Sequence, residues 1–184
     1  METTNSNAAT LFTTNLQLLG FVPEKFNTGV FRKIVFDERM FTHANNNKAF
    51  EATSHFLFHK LDATRSATEF AKCWPLSDTD YWRQSREYRT IAYRWLDELR
   101  IKQCLPGRIT LRKSYFEDCR GEKLYAIMLA FSTFVVQKVL DRRLANKDKQ
   151  NSSIHAPIRI LGTTSVTIAR KEQIISNLEV IILQ

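Results

Sequence analysis

The stretch YWRQSREYRTIAYRWLDELR, residues 81–100, decides the fold class. Tyr81, Ser85, Tyr88, Ala92, Trp95 and Leu99 recur at intervals of three or four, which places them on one face of an α-helix. The opposite side carries Arg83, Arg86, Arg94 and Asp97. A cap at Asp78 or Thr79 predicts a helix running to about Gln103, broken by Pro106-Gly107. Tyr81, Tyr88 and Trp95 are therefore expected in the core, leaving Trp82 and Tyr93 as the aromatics available for exposure.

The flanking segments follow the same period. Downstream, Leu124, Ile127, Met128, Phe131, Val135 and Val139 form the inner stripe of a helix spanning Gly121 to about Arg143. Tyr125, Leu129, Val136 and Leu140 make its far side apolar too, as in a central core helix. Upstream, Phe50, Ser54, Leu57 and Leu61 share a face with Phe58 beside them, and a short helix is predicted from about Ala67 to Cys73, ended by Trp74-Pro75. Leu11, Phe12, Leu16 and Leu19 predict a helix from about Ala8, stopped at Gly20. A further short helix is predicted from about Thr28 to Phe36, and Asp37 is placed to cap a turn through Met40 and Phe41. With 13 Phe but only 5 Gly and 4 Pro, the composition favours an all-α fold over a turn-rich β architecture.

Residues 1–7 are expected to be disordered and 8–144 to form the domain. A polar linker is expected over 145–163. Residues 164–184 are read as the start of a coiled-coil segment, with Ile168, Ile175, Leu178 and Ile182 near a/d positions, or as short strands at SVTIA and EVIIL. The N-terminus lacks the pattern of a signal peptide and no apolar run reaches the ~18 residues of a membrane span, so a cytosolic chain is expected. Three widely spaced cysteines without a CxxC signal neither a disulfide framework nor a zinc finger, and they read as buried free thiols.

Catalytic chemistry finds little material. No GxSxG, Walker loop or GxGxxG occurs. Glu51, His55, His59 and Asp62 lie on one flank of a helix, and histidines at i and i+4 can share a metal ion. No distant third ligand is suggested and the HExxH glutamate is missing, so the four read as the solvated side of an amphipathic helix. No catalytic residue, cofactor or metal is nominated.

Charge is the stronger functional signal. The formal net charge is +8, and residues 78–150 hold 16 basic and 10 acidic groups, whereas the segments on either side carry +1 each. A basic face implies an acidic partner: nucleic acid, an anionic membrane or an acidic protein surface. Arg83, Arg86, Arg94, Arg108, Arg112 and Lys113 are the candidates for such a face, and Arg142, Arg143, Lys147 and Lys149 for a second one.

Several motifs also carry a resemblance. Leu19-Gly20-Phe21 is followed by Phe56-Leu57-Phe58-His59-Lys60-Leu61-Asp62 and then by Cys73-Trp74-Pro75. Asp78, Trp82 and Arg83 open the long helix, Trp95 stands late in it, and the apolar Leu124–Leu140 segment closes the unit. Over about residues 11–143 this order resembles the N-terminal domain of augmin-like complex subunit 6. The resemblance implies a calponin-homology-like domain that pairs with the related domain of a sister subunit, subunit 7, within an octameric complex. It implies that the complex binds microtubules and recruits the γ-tubulin ring complex for branched nucleation at the mitotic spindle. It further implies residence in the cytoplasm, cytoskeleton and microtubule-organising centre, and a long coiled coil continuing the chain. Under that reading the six basic residues are microtubule-binding candidates, since tubulin surfaces are acidic. The alternatives are a pure heterodimerisation domain that never touches tubulin, and a nucleic-acid-binding helical domain.

Overall fold

The computed structural model describes residues 3–42 and 46–152. Among these the fold is all-α, with six α-helices, two short 3-10 turns and no strand. Compact units divide at Arg142, residues 1–142 forming the first and 143–184 the second.

Helix α1 (Thr3–Leu18) opens the first unit and buries Phe12 and Leu16. It already begins at Thr3, inside the segment expected to be disordered. The polar residues before Ala8 lack apolar periodicity, but extending a docked helix costs little once its nucleus exists. At its end Gly20 takes a positive φ of 79°, its N–H donates to Gln17 O, and Phe21 N–H donates to Leu16 O. That pair of bonds is a Schellman cap, and the buried Leu16 and Phe21 supply its apolar contact.

The helix predicted over Thr28–Phe36 is not formed. One 3-10 turn, Gly29–Phe31, stands there instead, preceded by another at Pro23–Phe26, and Lys33 adopts a positive φ of 63° that no continuous right-handed helix accommodates. Asp37 does organise the following turn: its Oδ1 accepts from Arg39 N–H at 2.8 Å, and its carbonyl accepts from Met40 N–H.

Helix α2 (Asn46–Leu61) buries Phe50, Ser54, Leu57, Phe58 and Leu61. Helix α3 (Ala63–Glu69) starts four residues before the predicted position, because Asp62 caps it by accepting from Arg65 N–H at 2.9 Å. The Trp74–Pro75 peptide bond is cis. Helix α4 (Tyr81–Ile101) follows, with Tyr88, Ala92, Trp95 and Leu99 buried and Tyr81 half-buried. It ends before Pro106-Gly107: Gln103 takes a left-handed φ of 56°, and Cys104 N–H and Gln103 N–H donate to Leu99 O and Arg100 O.

Helix α5 (Ser114–Asp118) is a single turn packed on α4, and α6 (Glu122–Ser152) is the central core helix. Leu124, Ile127, Met128, Phe131 and Val135 of α6 are buried. By length and composition alone its 122–147 stretch could cross a membrane, contrary to the expectation that no segment would. Half of its most apolar window is buried inside the protein. The helix also continues through residues 145–152, where a linker was expected; that stretch contains neither Gly nor Pro to stop it. The remainder of the expected linker and the coiled coil or strands of 164–184 lie outside the described residues.

An aromatic cluster joins these helices. Phe58 stacks on Trp95 at 4.5 Å and packs against Phe70 and Phe131, while Phe70 stacks on Tyr88 at 4.6 Å. Buried polar groups then fix the register. Asn15 Nδ2 donates to Ser132 Oγ at 3.0 Å and to Thr133 Oγ1 at 3.1 Å, tying α1 to α6. Tyr125 O–H donates to Glu38 O and accepts from Phe41 N–H. Cys73 and Cys119 are buried and Cys104 half-buried, all three as free thiols.

Candidate interaction surface

Helix α4 presents the candidate surface because its inner stripe is anchored in the core, and Arg83, Arg86 and Arg94 then face outward. Trp82 is 78% exposed, whereas Tyr93 is half-buried with its ring edge-on to Phe116. Beside Trp82 a cleft of about 290 Å³ opens to solvent between α4 and α5. It is lined by Trp82, Arg86, Arg89, Lys113, Phe116 and Glu117 among others.

The six nominated cations do not behave alike. Arg86 and Lys113 come together at this cleft, 27 positions apart in sequence. Both are exposed, as is Arg112, and none of the three makes an ion pair among the described residues. Arg83 is held instead by Asp80, one turn back, its Nε donating to Oδ2 at 2.7 Å. Arg94 Nη2 lies 2.6 Å from Glu69 Oε2 and belongs to a different group of charges. Arg108 is exposed on the return loop. Of the second nominated patch, Arg142 is exposed yet engaged, donating from Nη1 to the Lys60 carbonyl at 2.9 Å and capping the end of α2. Arg143 and Lys147 are exposed, and the side chain of Lys149 lies outside the described residues.

The group holding Arg94 joins α3 to α4. Arg65 bridges Glu69 and Glu98, Lys102 adds a 2.6 Å contact to Glu98, and the Arg65 guanidinium lies 4.2 Å above the Trp95 ring. The hydrogen bonds from Arg65 and Lys102 hold the Glu98 carboxyl down at about 2. These charges are largely self-compensating, so they offer an incoming acidic surface less than their number suggests.

The expected solvated flank of α2 is where the structure departs furthest from the sequence reading. Glu51 is completely buried, not wet. Its Oε2 accepts from Tyr81 O–H at 3.1 Å and its Oε1 from the Ser85 hydroxyl, with Arg89 Nε at 3.9 Å. Burial pushes this carboxyl up to about 7, against the lowering effect of the Ser85 and Tyr81 hydrogen bonds. Arg89 in turn donates to the carbonyls of Ser85, Phe116 and Glu117, so one side chain links α4 to α5. His55 stacks on Trp74 at 3.8 Å, and burial lowers it to about 4, with nearby His59 adding to the effect. Asp62 is the α3 cap. Glu51 and His55 are thus interior packing groups, only His59 and Asp62 are exposed, and the four do not converge as a ligand set.

Paired and unpaired cations over a polar-buttressed helical core form a surface suited to electrostatic contact. Comparison with known proteins agrees with that character. The sequence pattern described as HAUS augmin-like complex subunit 6 N-terminus matches residues 12–177. The chain belongs to the HAUS augmin-like complex subunit 6 family. The subunit of that name from Danio rerio is 30% identical over 97 residues, which are 52% of this chain and 12% of the relative. The family is that of a structural component of the augmin-like complex rather than of an enzyme. The match covers all six nominated cations, the Glu51 cluster and the C-terminal part of α1.

Proposed function

We propose that this chain is a calponin-homology-like module of the augmin complex. It pairs with the related domain of a sister subunit, subunit 7-like, and brings a basic face against the microtubule lattice. Within the whole complex it joins the other augmin subunits and the γ-tubulin ring complex, serving branched microtubule nucleation and spindle assembly in the cytoplasm, the cytoskeleton and the microtubule-organising centre. The observation that carries this reading is the excess of +6 charges in residues 78–150, with Arg86, Arg112 and Lys113 exposed and lacking ion pairs among the described residues. Such a surface attracts an acidic polymer over a Debye length, and the attraction falls with salt.

The six nominated residues divide under this reading. Arg86, Arg112 and Lys113 contribute most to the contact and Arg108 supports them. Arg83 and Arg94 contribute less, because Asp80 and Glu69 already compensate them. Joint charge reversal of Arg86, Arg112 and Lys113 should weaken microtubule co-sedimentation several-fold at low salt, while Arg94→Glu should have a smaller effect. If the triple reversal pellets with microtubules like the parent, with or without the sister subunit, this surface is not the contact. In that case the pure heterodimerisation reading is preferred.

A further inference from the structure

We propose that the cleft between α4 and α5 is a docking site for an extended glutamate-rich peptide, seated against the indole of Trp82 and paired with Arg86 and Lys113. Three observations meet there. Trp82 is the one exposed aromatic among the described residues, in a chain whose other large rings pack in or against the core. Arg86 and Lys113 flank it on two different elements without ion-pair partners among the described residues. The floor is rigid, since Arg89 ties α4 to the carbonyls of Phe116 and Glu117, and Phe116 is buried.

Charge decides the occupant. The lining holds Arg86, Arg89 and Lys113 against Glu117, a cationic balance. A second copy of this chain, at +8, would be repelled by it. Single-stranded nucleic acid is bound by several exposed rings on which successive bases stack, and here one ring stands alone. An acidic peptide needs one apolar platform for its methylenes and a few cations at intervals, and this cleft offers both. The proposal rests on the reading that the basic face meets an acidic partner, and it adds the chemistry of the segment recognised.

The test titrates a labelled glutamate-rich dodecapeptide into the 184-residue chain at low salt, followed by fluorescence anisotropy and by tryptophan emission, the Trp82 share being the difference from Trp82→Ala. A glutamine peptide and an oligo(dT) of matched length serve as controls. The expected result is saturable one-to-one binding of the glutamate peptide that salt weakens and that neither control matches. Trp82→Ala should weaken it about tenfold, and Arg86→Glu and Lys113→Glu about two- to fivefold each or more, with unchanged helicity by circular dichroism. Binding indifferent to all three substitutions overturns the proposal, as does equal or tighter binding of either control. Microtubule co-sedimentation of the same proteins is scored separately. A chain that pellets with microtubules yet ignores the peptide refutes the cleft and leaves the assembly reading intact. A chain that binds the peptide without pelleting does the reverse.

Discussion

Replacing Glu51 by Gln should change the pH dependence of stability more than stability itself. The buried carboxyl is pushed from an ordinary value of 4.5 to about 7, chiefly by burial. Between those values the folded chain keeps a proton that the unfolded chain has released, so this group's contribution is full below pH 4.5 and is lost as pH rises through 7. A shift of that size corresponds to about 3 kcal/mol. His55 works in the opposite sense. Burial lowers it from 6.5 to about 4, so its contribution is present above pH 6.5 and is lost as pH falls through 4, again by about 3 kcal/mol. From pH 4.5 to 6.5 the two slopes nearly cancel. Glu51→Gln keeps the side-chain shape and an acceptor for Ser85 or Tyr81 but cannot ionise, so it leaves the His55 slope unopposed. Urea unfolding of parent and variant at pH 4.5, 6.5 and 8 reads the effect directly, since groups common to both cancel in the difference. The variant should gain on the parent by about 3 kcal/mol between pH 4.5 and pH 8. The Glu51–Arg89 attraction acts only on the ionised carboxyl and is already contained in the value of about 7, and Arg89 retains its three carbonyl acceptors in the variant. A difference that stays flat across that range would refute the reasoning and place the titration of Glu51 elsewhere.

Two other substitutions test the elements that frame the site. Gln103 closes α4 with a left-handed φ of 56°, so Gln103→Gly should raise stability by up to about 1 kcal/mol, visible as a thermal midpoint higher by a few degrees. Asn15→Ala removes both cross-helix hydrogen bonds to α6, while the Ser132 hydroxyl keeps its bond to Leu129 O. It should cost about 2 kcal/mol in chemical denaturation, whereas Asn15→Ser, which keeps a hydroxyl, should recover part of the loss.

Part of the buried polar arrangement is legible in the sequence. Glu51, Ser54 and Phe58 stand at i, i+3 and i+7, so the phase that buries Phe58 also turns Glu51 inward. An acidic residue is an unreliable marker of the wet face when a hydroxyl and an arginine wait on the neighbouring helix. Those partners, Ser85 and Arg89, lie 34 and 38 positions away, and nothing local announces the pairing. The α3 start was legible too, as Asp62 followed three residues later by Arg65, whose N–H it accepts. The failure of a helix over Thr28–Phe36 was not legible, because its apolar positions suit a short helix as well as the packed turns that formed.

The sequence by itself determined the helical class, the inward stripe of α4, the stop at Gly20 and the concentration of positive charge in the middle of the chain. Each is set by periodicity, by backbone freedom at one residue or by a count, and these are local properties. The tertiary structure alone decided which cations are spent on neighbours and which are left over. Arg83 and Arg94 look like Arg86 along the helix, yet Asp80 and Glu69 engage the first two and, among the described residues, no carboxylate engages the third. It also decided that Trp82 meets water beside Lys113 rather than packing inward. Ion pairing and juxtaposition depend on distances between elements that the chain brings together only when the core closes, so no reading of spacing along one helix can supply them.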